Sequence, residues 1–418
     1  MPRRLALAVV AVLAACPSPK DPDGGGPPAP LLRTLPRPLS AAEQAIVRGS
    51  NDFSVRLFRE VNRTRSAETV VLSPFSVTAA LGMAANGAAG GTFEAMRTTL
   101  GLGGLDTTTL RTGYRDLFAL VRGLDPRVTT EVANSVWYSP TEVAPLPAFL
   151  QTSREFFGAE VRQADFRNPA TVGAINGWVS TATKGMIPTI IDDTGDDVMA
   201  LINAIYFKAP WRWAFPRANT APAPFTARSG AVRQVPMMST KMPLRLTQVA
   251  GATAGELLYG NGAYGLVVLL PDPAPGRGTP RDVNEVVAAL TPAALDSMAV
   301  AFADTGAMEL DVKLPRLDIA KPASLVPELR ALGMGVAFVP GADFSRINGT
   351  GQLVISRVEH RARMRLDEEG TTAAAATYVG IAVTSEPPSL IVNRPFVMLL
   401  RERLSGTILF VAKVVDVP

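Results

Sequence analysis

One cysteine and one histidine are all that 418 residues hold of the two side chains most used in metal sites and nucleophilic catalysis. A single thiol permits no disulfide within the chain, and one of each excludes a Cys/His metal cluster. Any imidazole general base has to be His360. Aromatic residues reach only 6%. Enzyme signatures are missing as well: no G-x-S-x-G elbow, no H-E-x-x-H, no glycine loop that cradles phosphate. Carboxylates are scattered, and no spacing singles out an acid–base pair. No basic block or basic strip studded with aromatics occurs, so nucleic acid is not an expected partner. These absences argue against an enzyme and against a bound cofactor.

What the chain does have is apolar mass and punctuation. Hydrophobic residues are 47% and charged residues 19%, with 35 glycines and 35 prolines. That suffices for one oversized domain or two ordinary ones. At the start, Arg3 and Arg4 precede the apolar run Leu5 to Ala15, too short to span a bilayer but suited to a signal-peptide core, so residues 1–15 read as a leader. It ends Leu13-Ala14-Ala15-Cys16, similar to a bacterial lipoprotein processing site, with Cys16 free to carry the lipid. An ordinary secretory signal with an incidental cysteine is the other reading. Either way the protein is expected to be exported: on a membrane through Cys16, at a bacterial cell surface or in the periplasm, or extracellular. Without Arg3 and Arg4, 39 basic residues face 37 acidic ones, close to balance. Residues 16–40 are rich in Pro and Gly and read as a tether. Ser40 is a plausible N-cap, so the folded part is expected at 41–418.

Beyond Ser40 helices and strands mix without a βαβ rhythm, which makes the class α+β. Apolar residues at helical spacing mark Ala41 to Val61. Ser73 and Pro74 open a helix that is apolar nearly all round and therefore buried. Met199 to Tyr206 is a near-continuous apolar strand. In Ser356 to Leu366 the alternation is strong: Val358, His360, Ala362, Met364 and Leu366 share one face, and Arg357, Glu359, Arg361, Arg363 and Arg365 the other. His360 thus lies on a buried strand face and reads as a satisfied core histidine needing a hydrogen-bond partner.

The unusual stretch is Gly370 to Ser389, GTTAAAATYVGIAVTSEPPS. Its Glu-Glu-Gly lead-in, Glu368 to Gly370, breaks the preceding strand, and Pro387 and Pro388 close the stretch. Its alanines suit a short surface helix or a flexible linker. Equally, small uncharged side chains could enter a sheet at no steric or desolvation cost, with Thr371, Ala373, Ala375 and Thr377 facing a core.

Leu366-Asp-Glu-Glu-Gly-Thr-Thr-Ala-Ala-Ala-Ala-Thr resembles the reactive-loop hinge of inhibitory serpins. Further blocks are similar to that family: Asn51-Asp-Phe-Ser-Val-Arg-Leu-Phe, VLSPFSVTAALGMAANGAAGGT, Asn176-Gly-Trp with Lys184-Gly-Met-Ile, Asn203-Ala-Ile-Tyr-Phe-Lys-Ala-Pro-Trp211, Ala342-Asp-Phe-Ser-Arg-Ile, Asn393-Arg-Pro-Phe and Leu409-Phe-Val-Ala-Lys-Val. Two positions depart from the pattern: Ala412 where glycine is usual, and Pro210.

The resemblance implies three β-sheets with about eight or nine helices and an exposed reactive-centre loop near 370–389. It implies a hinge at Glu368, Gly370, Thr371, Thr372, Ala373, Ala374, Ala375, Ala376 and Thr377. Ser73, Ser76, Asn203 and His360 fall at the family's shutter, with His360 expected to bond near Asn203 and Ser73. Trp211 falls at the breach, although plain core packing would also explain it. Family loop length, counted forward from Gly370 and back from Pro395, places the scissile bond at Thr384–Ser385, with Val383–Thr384 as the alternative. The implied function is that of a monomeric suicide substrate for an elastase-like or subtilisin-like serine protease. A non-inhibitory binding or carrier protein is the competing reading.

Overall fold

The computed structural model describes residues 29–274, 276, 278–371 and 389–417. Helix α1 (Ala41–Thr64) starts on a reciprocal cap, in which Glu43 N–H donates to Ser40 Oγ at 3.2 Å and Ser40 N–H to the Glu43 carboxylate at 2.8 Å. Strand β1 (Val70–Leu72) leads into α2 (Pro74–Asn86), which Ser73 caps with Pro74 in its first turn. Helices α3 (Gly90–Thr99) and α4 (Thr107–Gly123) and strand β2 (Thr129–Tyr138) follow. Next, α5 (Pro147–Phe157) stops at Gly158 in the left-handed region, and β3 (Ala159–Gln163), α6 (Ala170–Ala182) and β4 (Met199–Pro210) continue.

Four strands then meander, β5 (Ala221–Thr226), β6 (Val232–Val249), β7 (Ala252–Leu258) and β8 (Tyr264–Pro271), before α7 (Val283–Ala289) and α8 (Pro292–Asp304). The last third holds β9 (Met308–Pro315), β10 (Leu317–Ser324), α9 (Val326–Leu329), α10 (Ser345–Asn348) and β11 (Glu359–Leu366). It ends with β12 (Gly370–Thr371), β13 (Ser389–Ile391), β14 (Phe396–Glu402) and β15 (Ile408–Val414).

The described residues form three sheets, in an α+β arrangement as expected. Nine strands make the largest, in the order β1-β15-β14-β8-β7-β6-β9-β13 with β5 on β6. Its centre, β8, β14 and β15, is buried on both faces, which explains why these segments read as unbroken apolar runs. The other two sheets are a four-stranded one, β12-β4-β2-β3, and a two-stranded one, β10-β11. Between β4 and β11 no ladder is formed among the described residues. Of the described residues, the two of β12 pair with the edge of β4 away from β2, Gly370 opposite Pro210 and Thr371 opposite Ala209. Helix α2 runs beneath this slot and packs on β4 and β15.

Among the described residues there are ten α-helical segments, about the number expected, with α9 and α10 single turns. Two expectations need correction. The alternating run from Ser356 joins a ladder only at Glu359, since Ser356 to Val358 face the slot rather than a partner strand. Nor is the tether free up to Ser40. Leu32 N–H donates to Asn261 O at 2.8 Å and Arg212 Nη1 to Ala29 O at 2.7 Å, while Leu32, Leu35 and Leu39 pack against the core. Three leucines among the prolines give the segment enough apolar surface to adhere.

Candidate functional site

The slot has two ends. At the first, the chain leaves β11 and reverses in a turn where Asp367 and Gly370 exchange backbone hydrogen bonds of 3.0 and 3.2 Å. Gly370 has φ +124°, and a Cβ there would lie 2.3 Å from Ala209 O, so only glycine fits. Trp211 organises this end. Its backbone N–H donates to Glu369 O and its indole Nε1 to Asp367 O, both at 2.9 Å, and its ring stacks on Tyr259 at 4.4 Å between centroids.

Three successive carboxylates of the turn each meet an arginine from a different element. Glu368, with a side chain 3% exposed, accepts from Arg316 Nε at 2.7 Å and from the Thr220 hydroxyl. Glu369 pairs with Arg217, and Asp367 lies 3.6 Å from Arg365. Burial pushes the Glu368 carboxyl up, but the bonds from Arg316 and Thr220 outweigh it and hold the group below the usual carboxylate range. Asp367 goes the other way, raised by burial.

Midway along the slot lies a chain of polar groups beneath the sheet. Ser73 Oγ donates to Leu409 O at 2.7 Å, and Ser73 N–H donates to His360 Nε2 at 3.0 Å. Ser76 donates to the Asn203 amide oxygen, Asn203 Nδ2 to Asn134 Oδ1 at 2.6 Å, and Asn134 Nδ2 to Phe157 O at 2.6 Å. Because Nε2 of His360 accepts a backbone N–H, the ring is neutral. Burial pushes its pKa down to about 4. Here the structure departs from the sequence reading: His360 bonds Ser73 but not Asn203. The two face each other across the slot, Asn203 from β4 and His360 from β11, because the strands that carry them are parted.

Below that level the slot widens into a cavity of about 290 Å³. Val77, Leu81 and Ala84 of α2 form its floor, and Ile190 and Ile191, from the connection between α6 and β4, lie on its other side. Asp197 and Arg357 line it too, beyond the end of β4 and before the start of β11. Among the described residues no group of His, Cys, Asp and Glu is placed to hold a metal ion. The arrangement offers no nucleophile–base pair. What it offers, among the described residues, is two unpaired strand edges with an apolar floor between them.

Of the residues singled out by sequence, the structure brings Ser73, Ser76, Asn203 and His360 to the middle of the slot, and Glu368, Gly370, Thr371 and Trp211 to its first end. Hinge positions Thr372 to Thr377, the bonds at Val383, Thr384 and Ser385, and Cys16 lie outside the described residues. Sequence reasoning missed Arg316, Thr220, Arg217 and Asn134. The three acids of the Asp367-Glu-Glu triplet announce cationic partners, but nothing in the sequence says which arginines supply them.

Comparison with known proteins agrees with this geometry. The profile of the family described as Serpin (serine protease inhibitor) matches residues 48–417. Iripin-8 of Ixodes ricinus is 29% identical over 391 residues, covering 90% of this chain and 94% of its own. The leukocyte elastase inhibitor of Bos taurus is 30% identical over 379 residues, covering 86% and 96%. Among solved structures, human thyroxine-binding globulin in complex with thyroxine superposes with a TM-score of 0.79 at 25% identity, over 90% of this chain and 99% of that one. The slotted sheet, the hinge turn at Gly370 and the profile match over most of its length together establish that this chain belongs to the serpin family.

Proposed function

We propose that the chain inhibits serine proteases as a suicide substrate, by adding its cleaved loop to the slot as a new strand. The observation that carries this reading is the pairing of Gly370 with Pro210 and Thr371 with Ala209, which starts such a strand on an edge of β4 that no other described strand pairs with. Continuing that antiparallel register one residue at a time brings Ala373 opposite Phe207, Thr377 opposite Asn203, Val379 opposite Leu201 and Ile381 opposite Met199. Paired residues in an antiparallel ladder point to the same face. Asn203 reaches Ser76 of α2, so Thr371, Ala373, Ala375, Thr377, Val379 and Ile381 would face the floor. The hinge thus presents alanine and threonine where the slot is narrow, and Val379 and Ile381 where the cavity widens.

The gain is considerable. Fully burying a side chain of the size of Val379 or Ile381 contributes about 1.5–3 kcal/mol, and both free strand edges acquire hydrogen-bond partners. Cleavage at Thr384–Ser385 releases the loop while the protease is held to Thr384 as an acyl ester. Insertion then draws the protease along the sheet before water can hydrolyse the ester. Val383 and Ala382 before the bond suit an elastase-like or subtilisin-like enzyme, and the relative from Bos taurus is an elastase inhibitor by name. Val383–Thr384 is the second candidate bond. The sequence around Cys16 supports a lipid-anchored, exported protein, and trapping one protease per loop asks for no more than a monomer.

A carrier role is the second reading, favoured by the likeness to thyroxine-binding globulin. One gel separates them. Incubation with elastase or subtilisin is expected to give a band at the summed mass that resists boiling in detergent, with the released C-terminal peptide beginning at Ser385. Clean cleavage with no such band, and no rise in melting temperature of the cleaved chain, overturns inhibition and leaves the carrier reading.

A further inference from the structure

The far end of the slot is bridged by charge. Asp197 accepts from Arg357 Nε at 2.8 Å and from the Ser356 hydroxyl. Arg357 Nη1 also reaches the Asp193 carboxylate at 3.1 Å and its carbonyl oxygen at 3.2 Å. Four residues further on, within β11, Arg361 meets Asp192 at 2.8 Å and Thr189 Oγ1 at 2.8 Å. The acidic turn Asp-Asp-Thr-Gly-Asp-Asp, residues 192–197, belongs to the connection that enters β4. The arginines belong to β11 and its lead-in. Each pair therefore spans the slot rather than bracing one wall of it. Gly195 is part of the construction: at φ +51° it packs against the guanidinium, and a Cβ there would lie 2.7 Å from Arg357 Nη2.

Register gives this latch a position on the insertion path. The pairing that places Gly370 opposite Pro210 brings Val383 opposite Asp197 and Thr384 opposite Asp196. Thr384 is the residue that carries the protease. Asp197 and Arg357 both line the cavity, so they border the level that Val383 and Thr384 reach last. A strand seated between β4 and β11 also needs two strand spacings, about 9.6 Å, between them. The latch has to open for insertion to finish.

The geometry points to Arg357 and Asp197 as residues that set the rate of the last stage of loop insertion. They thereby set the fraction of encounters in which the protease is trapped rather than released. This inference rests on the inhibitory reading. Neither residue touches the substrate bond. They act through the strand that must pass between them, so they are positioning residues. Asp197 is 9% exposed and Arg357 27%, so the pair is partly shielded and still within reach of salt.

The test is stopped-flow. The full chain is nicked with excess subtilisin, and insertion is followed by intrinsic tryptophan fluorescence, since Trp211 lies beside the hinge. Insertion in the unaltered chain is expected to quicken as salt rises from about 0.05 to about 0.5 M, because screening weakens the pairs. Asp197→Asn and Arg357→Gln are each expected to insert about fivefold faster at low salt, with a flattened salt response and fewer inhibitor molecules consumed per protease trapped. Rates equal to those of the unaltered chain, or an unaltered chain indifferent to salt, overturn the latch. The salt arm needs no variant, so a variant that fails to fold does not shield the idea. An unaltered chain that neither inserts nor forms a detergent-resistant band defeats the inhibitory reading itself, a result distinct from insertion at an unchanged rate.

Discussion

The two ends of the slot are built by opposite means. At the hinge end the polar groups are paired in series: Trp211 holds two backbone carbonyls, three carboxylates have three arginines, and Gly370 already lies in the sheet. At the far end two strand edges stand apart over an apolar cavity, kept in place by side-chain pairs on the rim. Satisfied backbone fixes where a strand begins, and unsatisfied backbone supplies the energy for its growth. The difference between the ends gives insertion a direction.

The largest effect is expected from charging the first position to enter. Register continues inward from Thr371, opposite Ala209, a residue with no exposed surface. Thr371→Arg would force a guanidinium toward that buried level, and insertion should stall there. The variant is expected to be cleaved as a plain substrate, with the detergent-resistant complex lost. An unchanged number of inhibitor molecules consumed per protease would remove insertion as the mechanism.

Next comes acid. The folded pKa of His360 is about 4 against an unfolded value near 6.5, so the unfolded chain binds the extra proton first. Stability from this group is present above pH 6.5 and is lost as pH falls toward 4, by about 3 kcal/mol between pH 7.5 and 4. The protonated ring can no longer accept the Ser73 N–H, which should part α2 from β11 at the middle of the slot. Denaturant titrations across that range should show His360→Gln losing about 3 kcal/mol less than the unaltered chain. Parallel curves would place the pH response elsewhere. A smaller loss, about 2 kcal/mol, is expected for Glu368→Ala, which strips Arg316 and Thr220 of their shared acceptor. Arg316 is 43% exposed and can turn to water, so the cost stays below that of stranding a buried charge. A urea midpoint unmoved by this change would mean that the hinge turn does not need its clamp.

How much of this was legible in advance follows from the range of each interaction. The hinge triplet, the capped buried helix at Ser73 and the fully buried strands are local patterns, and they were readable because side-chain period and capping depend on neighbours in sequence. His360 could be assigned to a buried strand face but not given its partner. Ser73 lies 287 residues away, and whether Asn203 also reaches the ring depends on how far β4 and β11 have parted. The alternating arginines from Arg357 to Arg365 read only as the strand face opposite His360. Their partners Asp192, Asp193 and Asp197 sit in another segment, and only the fold brings the two together. The segment before Ser40 was read by its prolines, which set its backbone, and not by its leucines, which decide where it lies.

That segment supplies the smallest prediction and the sharpest check on the contrast between the ends. Arg212 follows Trp211 directly, and its Nη1 joins Ala29 O at 2.7 Å to Gly260 O at 3.2 Å. Gly260 is next to Tyr259, on which Trp211 stacks. The N-terminal segment therefore braces the hinge end from behind, at a site remote from the cavity. Arg212→Ala should cost about 1 kcal/mol, the scale of one hydrogen-bonded side chain. If the hinge end is a separate, fully satisfied unit, the loss should appear in the denaturation midpoint, while the pH response set by His360 and the salt response of insertion stay as they were. If all three shift together, the ends are coupled through β4, and the slot opens as one piece rather than from the hinge downward.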